Sequence, residues 1–115
     1  MNGRDQVKYV HAMKQELSLS TELGSHLADG AAAAAFRMSR IEPYVGMCSE
    51  VVLDFTGVRH ANSSFINALI TGLVEQHGRD VLKVLVFKGC NPVVRVLVEG
   101  AIALGLQKIE GRIDA

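Results

Sequence analysis

Apolar and polar positions change period several times along this chain, and each change marks an element. Residues 6–13 alternate Val7, Tyr9 and His11 with Lys8, Val10 and Ala12, an edge-strand pattern. Residues 18–25 supply turn chemistry, and a helix begins between His26 and Ala31. The alanine run 31–35 has high helix propensity, and Leu27, Ala31, Ala34, Met38 and Ile41 recur at helical spacing as one core-facing stripe. Pro43 ends or kinks this helix, and Gly46 marks a stop nearby. Residues 50–55, Glu-Val-Val-Leu-Asp-Phe, form a short apolar, β-branched run that predicts a buried central strand. After the breakers Thr56-Gly57 and the cap-type residues Asn62-Ser63-Ser64, the period turns helical. Phe65, Leu69 and Leu73 lie on one stripe with Ile66, Ile70 and Val74 beside it, which makes a wide apolar face. His77-Gly78 closes that helix. Residues 81–87 predict a second buried strand. Asn91-Pro92 then sets an N-cap and a first-turn proline at the head of a third helix. Val93, Leu97 and Ile102 stripe this helix, Gly100 and Gly105 weaken its far end, and residues 106–109 read as a short last strand.

Strand and helix therefore alternate, which predicts an α/β layer with parallel strands joined by right-handed crossovers. The expected architecture is one small α/β domain over residues 1–115, its mixed, largely parallel sheet of four or five strands packed against helices. A length of 115 residues suits one domain, and 49 % apolar with 21 % charged residues is a globular composition. Twelve basic residues meet twelve acidic ones, for a net charge of zero and a pI near 6.9. That balance argues against nucleic acid or anionic lipid as the main partner. Two cysteines, Cys48 and Cys90, make no disulfide scaffold and fit reduced thiols and a cytoplasmic location. No stretch reads as a membrane span or an export signal. Residues 109–112, Ile-Glu-Gly-Arg, match a protease recognition sequence, and four residues assign the tail no function.

The richest chemistry lies in residues 51–73, VVLDFTGVRHANSSFINALITGL. A strand ends in Asp54, a loop carries Gly57-Val58, and Asn62-Ser63-Ser64 opens a helix. This order resembles the STAS domain, shared by anti-sigma-factor antagonists and the cytoplasmic ends of sulfate transporters. Asn62 stands where that family has Asp, Ser63 and Ser64 match its serine pair, and Phe65 replaces its glycine. The sequence is more similar still to a STAS-like family of bacterial domains with an Asp-Phe-x-Gly-Val strand end and a Ser-Phe helix start. Asp54-Phe55-Thr56-Gly57-Val58 and Ser64-Phe65 carry that likeness, which extends over residues 23–108.

The resemblance implies a regulatory protein-binding module rather than an enzyme. In antagonist STAS domains the second serine of the pair is phosphorylated by a partner ATPase-type kinase, which binds the unmodified form. Carried over by position, the phosphoacceptor is Ser64. The partner-binding residues are Asp54, Gly57, Val58, Asn62, Ser63, Ser64 and Phe65, and the partner is a kinase-like ATPase or an anti-sigma-type regulator. A phosphate adds about −1.5 to −2 charges, which a helix start tolerates through its N–H groups and dipole. A partner packed over Ser64 meets that charge desolvated. The same residues also have a plainer reading. Asn and Ser are preferred helix caps, a role compatible with phosphorylation, and Asp54 at a strand end fixes its own loop.

The enzymatic alternative lies at Cys90. A thiol between strand and helix with Arg95 five positions on resembles the Cys-x4-Arg loop of rhodanese-type sulfurtransferases. Pro92 removes an N–H donor from that loop, and residues 91–94 contain no glycine, so a small half-buried cysteine is the simpler reading. The four histidines, His11, His26, His60 and His77, have no metal-ligand spacing, so no metal and no cofactor are expected. No phosphate-binding loop motif occurs. Six aromatic residues and no Trp leave little for base stacking. A scaffold that associates with copies of itself is the third possibility.

Overall fold

Three short parallel strands organise the chain. In the computed structural model, which describes residues 13–114, β1 (Lys14–Ser18), β3 (Glu50–Asp54) and β5 (Leu85–Lys88) form a sheet in the order β1-β3-β5. Two-residue strands β2 (His26–Leu27) and β4 (His60–Ala61) pair in parallel as a separate ribbon. Between them run a short helix α1 (Leu19–Leu23), α2 over 30–45, α3 over 63–77, a 3₁₀ turn (Arg79–Lys83) and the long α4 (Pro92–Asp114). The α/β class holds, with a correction. Among the described residues the strands divide three and two between separate sheets, and every pairing is parallel, rather than one mixed sheet of four or five. The alternating segment 6–13 lies, but for Met13, outside the described residues.

Register separates the two faces of the sheet. Leu17, Leu53 and Phe87 stand side by side, as do Val51 and Leu85, on the face that joins the core. Glu16, Val52 and Val86 alternate with them on the outer face, where Lys14 meets Glu50 at 3.9 Å and Lys88 meets Glu16 at 3.3 Å. The core is completed by Ala33, Phe36 and Ile41 of α2, Val94, Val98 and Ala101 of α4, and both apolar stripes of α3. Every member expected of the α3 stripes is buried: Phe65, Leu69, Leu73, Ile66, Ile70 and Val74.

The α2 stripe needs correction, because Met38 is 56 % exposed while Ala33, Phe36 and Ile41 are buried. The helix widens over Arg37–Ile41, where the Glu42 N–H reaches back five residues to the Arg37 carbonyl, so Phe36 and Ile41 share a face. The wide turn also lets the helix pass through Pro43 and end at Gly46. In a matching wide turn of α3 (Asn67–Thr71) the Gly72 N–H reaches the carbonyls of Asn67 and Leu69 and leaves that of Ala68 aside. Arg37 Nη1 donates to that carbonyl at 2.8 Å, its guanidinium occupying the space a Cβ on Gly72 would need.

Two further expectations change. Residues 79–83 are a 3₁₀ turn after Gly78, so the strand read over 81–87 is only Leu85–Lys88. Residues 106–109 are helical, not a strand: α4 runs on because Gly105 packs against Val74 and Leu106 and Ile109 continue its buried side. Among the described residues no helix is long and apolar enough to cross a membrane.

Candidate functional site

In open parallel sheets the carboxyl ends of the strands are where loops and helix starts converge. Here the starts of α2, α3 and α4 are all held by side-chain caps. Asp29 Oδ1 accepts from the Ala31 N–H at 2.9 Å, Asn62 Oδ1 from Phe65 at 2.8 Å and Asn91 Oδ1 from Val94 at 2.9 Å. Both asparagines also act outward. Asn62 Nδ2 donates to the Ala28 carbonyl at 3.1 Å, tying the start of α3 to the segment entering α2. Asn91 Nδ2 donates to the carbonyls of Val58 and Arg59, tying the start of α4 to the loop after β3.

That loop is fixed along its length. Asp54 Oδ1 accepts from the Thr56 N–H at 2.9 Å, and Ser20 Oγ donates to the Thr56 carbonyl at 2.8 Å. The hydrogen bonds from Thr56, side chain first and backbone second, hold the Asp54 carboxyl below its ordinary pKa, with Lys88 adding to the effect. Gly57 turns with φ of 88° and packs on Ser20, where a side chain would be both strained and crowded. The Arg59 and His60 N–H groups both reach the Ser25 carbonyl, which leads into the ribbon β2–β4.

Of the residues singled out from sequence, Asn62, Ser63 and Ser64 are exposed at the α3 start, and Gly57 is exposed in the loop before it. Asp54 is partly exposed and spends one oxygen on the turn, which is the loop-fixing role. Val58 (5 % exposed) and Phe65 (1 %) enter the core, so their side chains underpin this edge and do not form its surface. Asn62 does the capping, and among the described residues the Ser64 hydroxyl has no hydrogen-bond partner. Ser64 Oγ lies against Gly30, the first residue of α2: a Cβ there would stand 3.0 Å from it.

Cys90 and Arg95 do come together. They line a groove of about 400 Å³ with Phe87, Gly89, Val98, Glu99 and Ile102. Burial pushes the Cys90 thiol pKa up, against the pull of Arg95, and the Asp54 charge raises it further. A sulfur nucleophile needs the opposite shift. Arg95 is itself paired with Glu99 at 3.5 Å.

Two constellations were missed from the sequence. His26 and His60, exposed and cross-strand partners, bring their rings to 5.5 Å. Arg37, Glu42 and His77 form a chain, with Arg37 Nε to Glu42 Oε2 at 3.0 Å and Glu42 Oε1 to His77 Nε2 at 3.2 Å. The isolated Gly72 within a helical pattern was the available clue to the second. Among the described residues no group of three or more His, Cys, Asp or Glu side chains is arranged to hold a metal ion.

Comparison with known proteins adds one result. Residues 32–95, more than half of the chain, match a family model described as a STAS-like domain of unknown function (DUF4325). The match takes in the 54–65 segment and also Cys90 and Arg95. No curated protein and no solved structure matches the chain.

Proposed function

This chain belongs to the STAS-like family, and from that premise we propose that it is a non-enzymatic, cytoplasmic protein-binding module switched by phosphorylation of Ser64. Its contact surface is the exposed start of α3 together with the loop after β3. The partner is a kinase-like ATPase of the type that binds antagonist STAS domains.

The observation that carries this reading is the division of labour between Asn62 and Ser64. Asn62 caps α3, and the hydroxyl of Ser64, exposed in the first turn, is left without a partner among the described residues. A hydroxyl that holds no structure is free to be modified without unfolding the helix. A phosphate there would sit at the positive end of α3, with the start of α2 adjacent through Gly30. The module keeps its fold, and the added charge falls on whatever protein packs over Ser64. The reading makes no use of Cys90, whose thiol burial holds toward the protonated form and whose neighbour Arg95 is paired with Glu99.

Tandem mass spectrometry of the protein isolated from its own cells, in growth and in starvation and with phosphatases inhibited, is expected to find phosphate on Ser64. A fully covered Ser64 peptide that is unmodified in every condition would remove the switch.

A further inference from the structure

Each strand of the ribbon β2–β4 is two residues long, and the outward position of both is histidine. Leu27 points inward and is buried, with Ala61 beside it partly buried, so the alternation of a strand leaves His26 and His60 facing solvent. Parallel register sets the two directly opposite each other on one face. Their ring centres stand 5.5 Å apart with the planes tilted at 54°, so the imidazoles are close neighbours without being stacked. Neither ring hydrogen-bonds another described residue, and the nitrogens of both remain available. The other two histidines are placed differently: His77 is engaged with Glu42, and His11 lies outside the described residues.

Side-by-side imidazoles have the chemistry of a metal-ligand pair. Neutral imidazole suits zinc, nickel and copper ions, whereas magnesium and calcium take oxygen. With metal–nitrogen bonds of about 2.0–2.1 Å, the ring centres of two imidazoles on one tetrahedral ion stand about 5 Å apart. The observed 5.5 Å is a small side-chain adjustment from that span. The backbone beneath the pair is already fixed. The N–H groups of Arg59 and His60 reach the Ser25 carbonyl at 2.8 and 3.1 Å, and the Asn62 N–H reaches the Leu27 carbonyl at 3.0 Å. Asn62 Nδ2 adds its bond to the Ala28 carbonyl. Little chain entropy is therefore lost when an ion takes both rings. Spacing along the chain does not reveal the pair, because strand register, and no local motif, brings it together.

We infer that His26 and His60 form a two-imidazole site for a divalent transition-metal ion of the zinc, nickel and copper group, its remaining positions open to solvent. β2 leads into the start of α2 and β4 into the start of α3, so a bound ion cross-links the two segments that set these helix starts. An ion held by the folded chain alone raises stability as its concentration rises. The site does not involve Ser64, and its test is independent of the proposed switch.

Isothermal titration of the full, untagged chain with zinc and with nickel, its thiols kept reduced by a phosphine, is expected to show one ion bound per chain at micromolar concentration. His26→Asn and His60→Asn should each weaken binding by about tenfold or more, and His77→Asn should leave it unchanged. Circular dichroism confirms that each variant is folded. Zinc should raise the unfolding midpoint of the parent and leave those of the two ligand variants where they were. In the parent, the imidazole nitrogen resonances of His26 and His60 should shift together as zinc is added, a reading that needs no substitution. Uptake only at millimolar ion is what scattered surface histidines give, and it overturns the proposal. Binding that survives either ligand substitution overturns it too, by placing the ion elsewhere on the chain, Cys48 and Cys90 included.

Discussion

Asn62 and Ser64 stand two positions apart and are asked to do different things. Asn62 satisfies the Phe65 N–H with its oxygen and the Ala28 carbonyl with its amide, so its loss opens the start of α3 and unties it from α2. Asn62→Ala is expected to destabilise the fold by roughly 0.5–2 kcal/mol in urea unfolding, the range of a lost cap. Ser64→Ala removes no hydrogen bond between described residues and should fall within about 0.5 kcal/mol of the parent, as surface substitutions do. Equal costs would return Ser64 to the cap. From sequence, Asn62, Ser63 and Ser64 were all competent caps, and only the backbone decides which oxygen reaches an N–H. Asp54 was legible as a loop-fixing residue because a polar group ending a buried strand has few other roles. Its folded pKa lies below the ordinary value of 3.8, so it adds stability above that pH and loses it as pH falls through the folded value. Asp54→Asn should therefore be less stable at neutral pH and show a shallower loss of stability below about pH 4. An unchanged acid limb would place the titrating groups elsewhere.

The wide turns in α2 and α3 are where element-level reading met its limit. The expected stripe of α2 was counted from Leu27, which lies in β2 before the helix begins, so its phase came from a residue outside the helix. The wide turn then shifts the phase again between Phe36 and Ile41, which an ordinary helical period does not represent. In α3 six large apolar residues cover so broad an arc that one shifted turn leaves all of them inside. The Arg37 bridge joins the two irregularities, filling the Ala68 carbonyl that the α3 turn frees. Gly72→Ala should collide with the guanidinium and cost about 1–3 kcal/mol, the range for overpacking. Arg37→Met should cost about 1–3 kcal/mol by leaving the Ala68 carbonyl and the Oε2 atom of Glu42 without their partner. The two together should cost less than their sum, because the methyl group then meets no guanidinium. Additive costs in a double-mutant cycle would show that the two sites do not touch.

On the scale of the whole molecule, the alternation of strands and helices was enough to read the α/β class and the edge where its loops gather. The division of the strands was not legible, because β2 and β4 have two residues each and no period exists at that length. The helical continuation of α4 through 106–109 was misread because its glycines look like breakers one at a time. Gly105 is in fact a packing site for Val74. The candidate site was read as one continuous motif, whereas in space Val58 and Phe65 support it from below and Ser64 stands on its surface. In the proposed switch this surface recognises a protein, and charge on Ser64 ends the recognition. The most direct measurement is affinity capture from the cell's own extract with the parent chain, Ser64→Ala and Ser64→Asp, each shown to be folded and read by mass spectrometry. The parent and Ser64→Ala should retain the same kinase-like ATPase, and Ser64→Asp should lose it. If all three retain the same proteins, or none, Ser64 is not a switch.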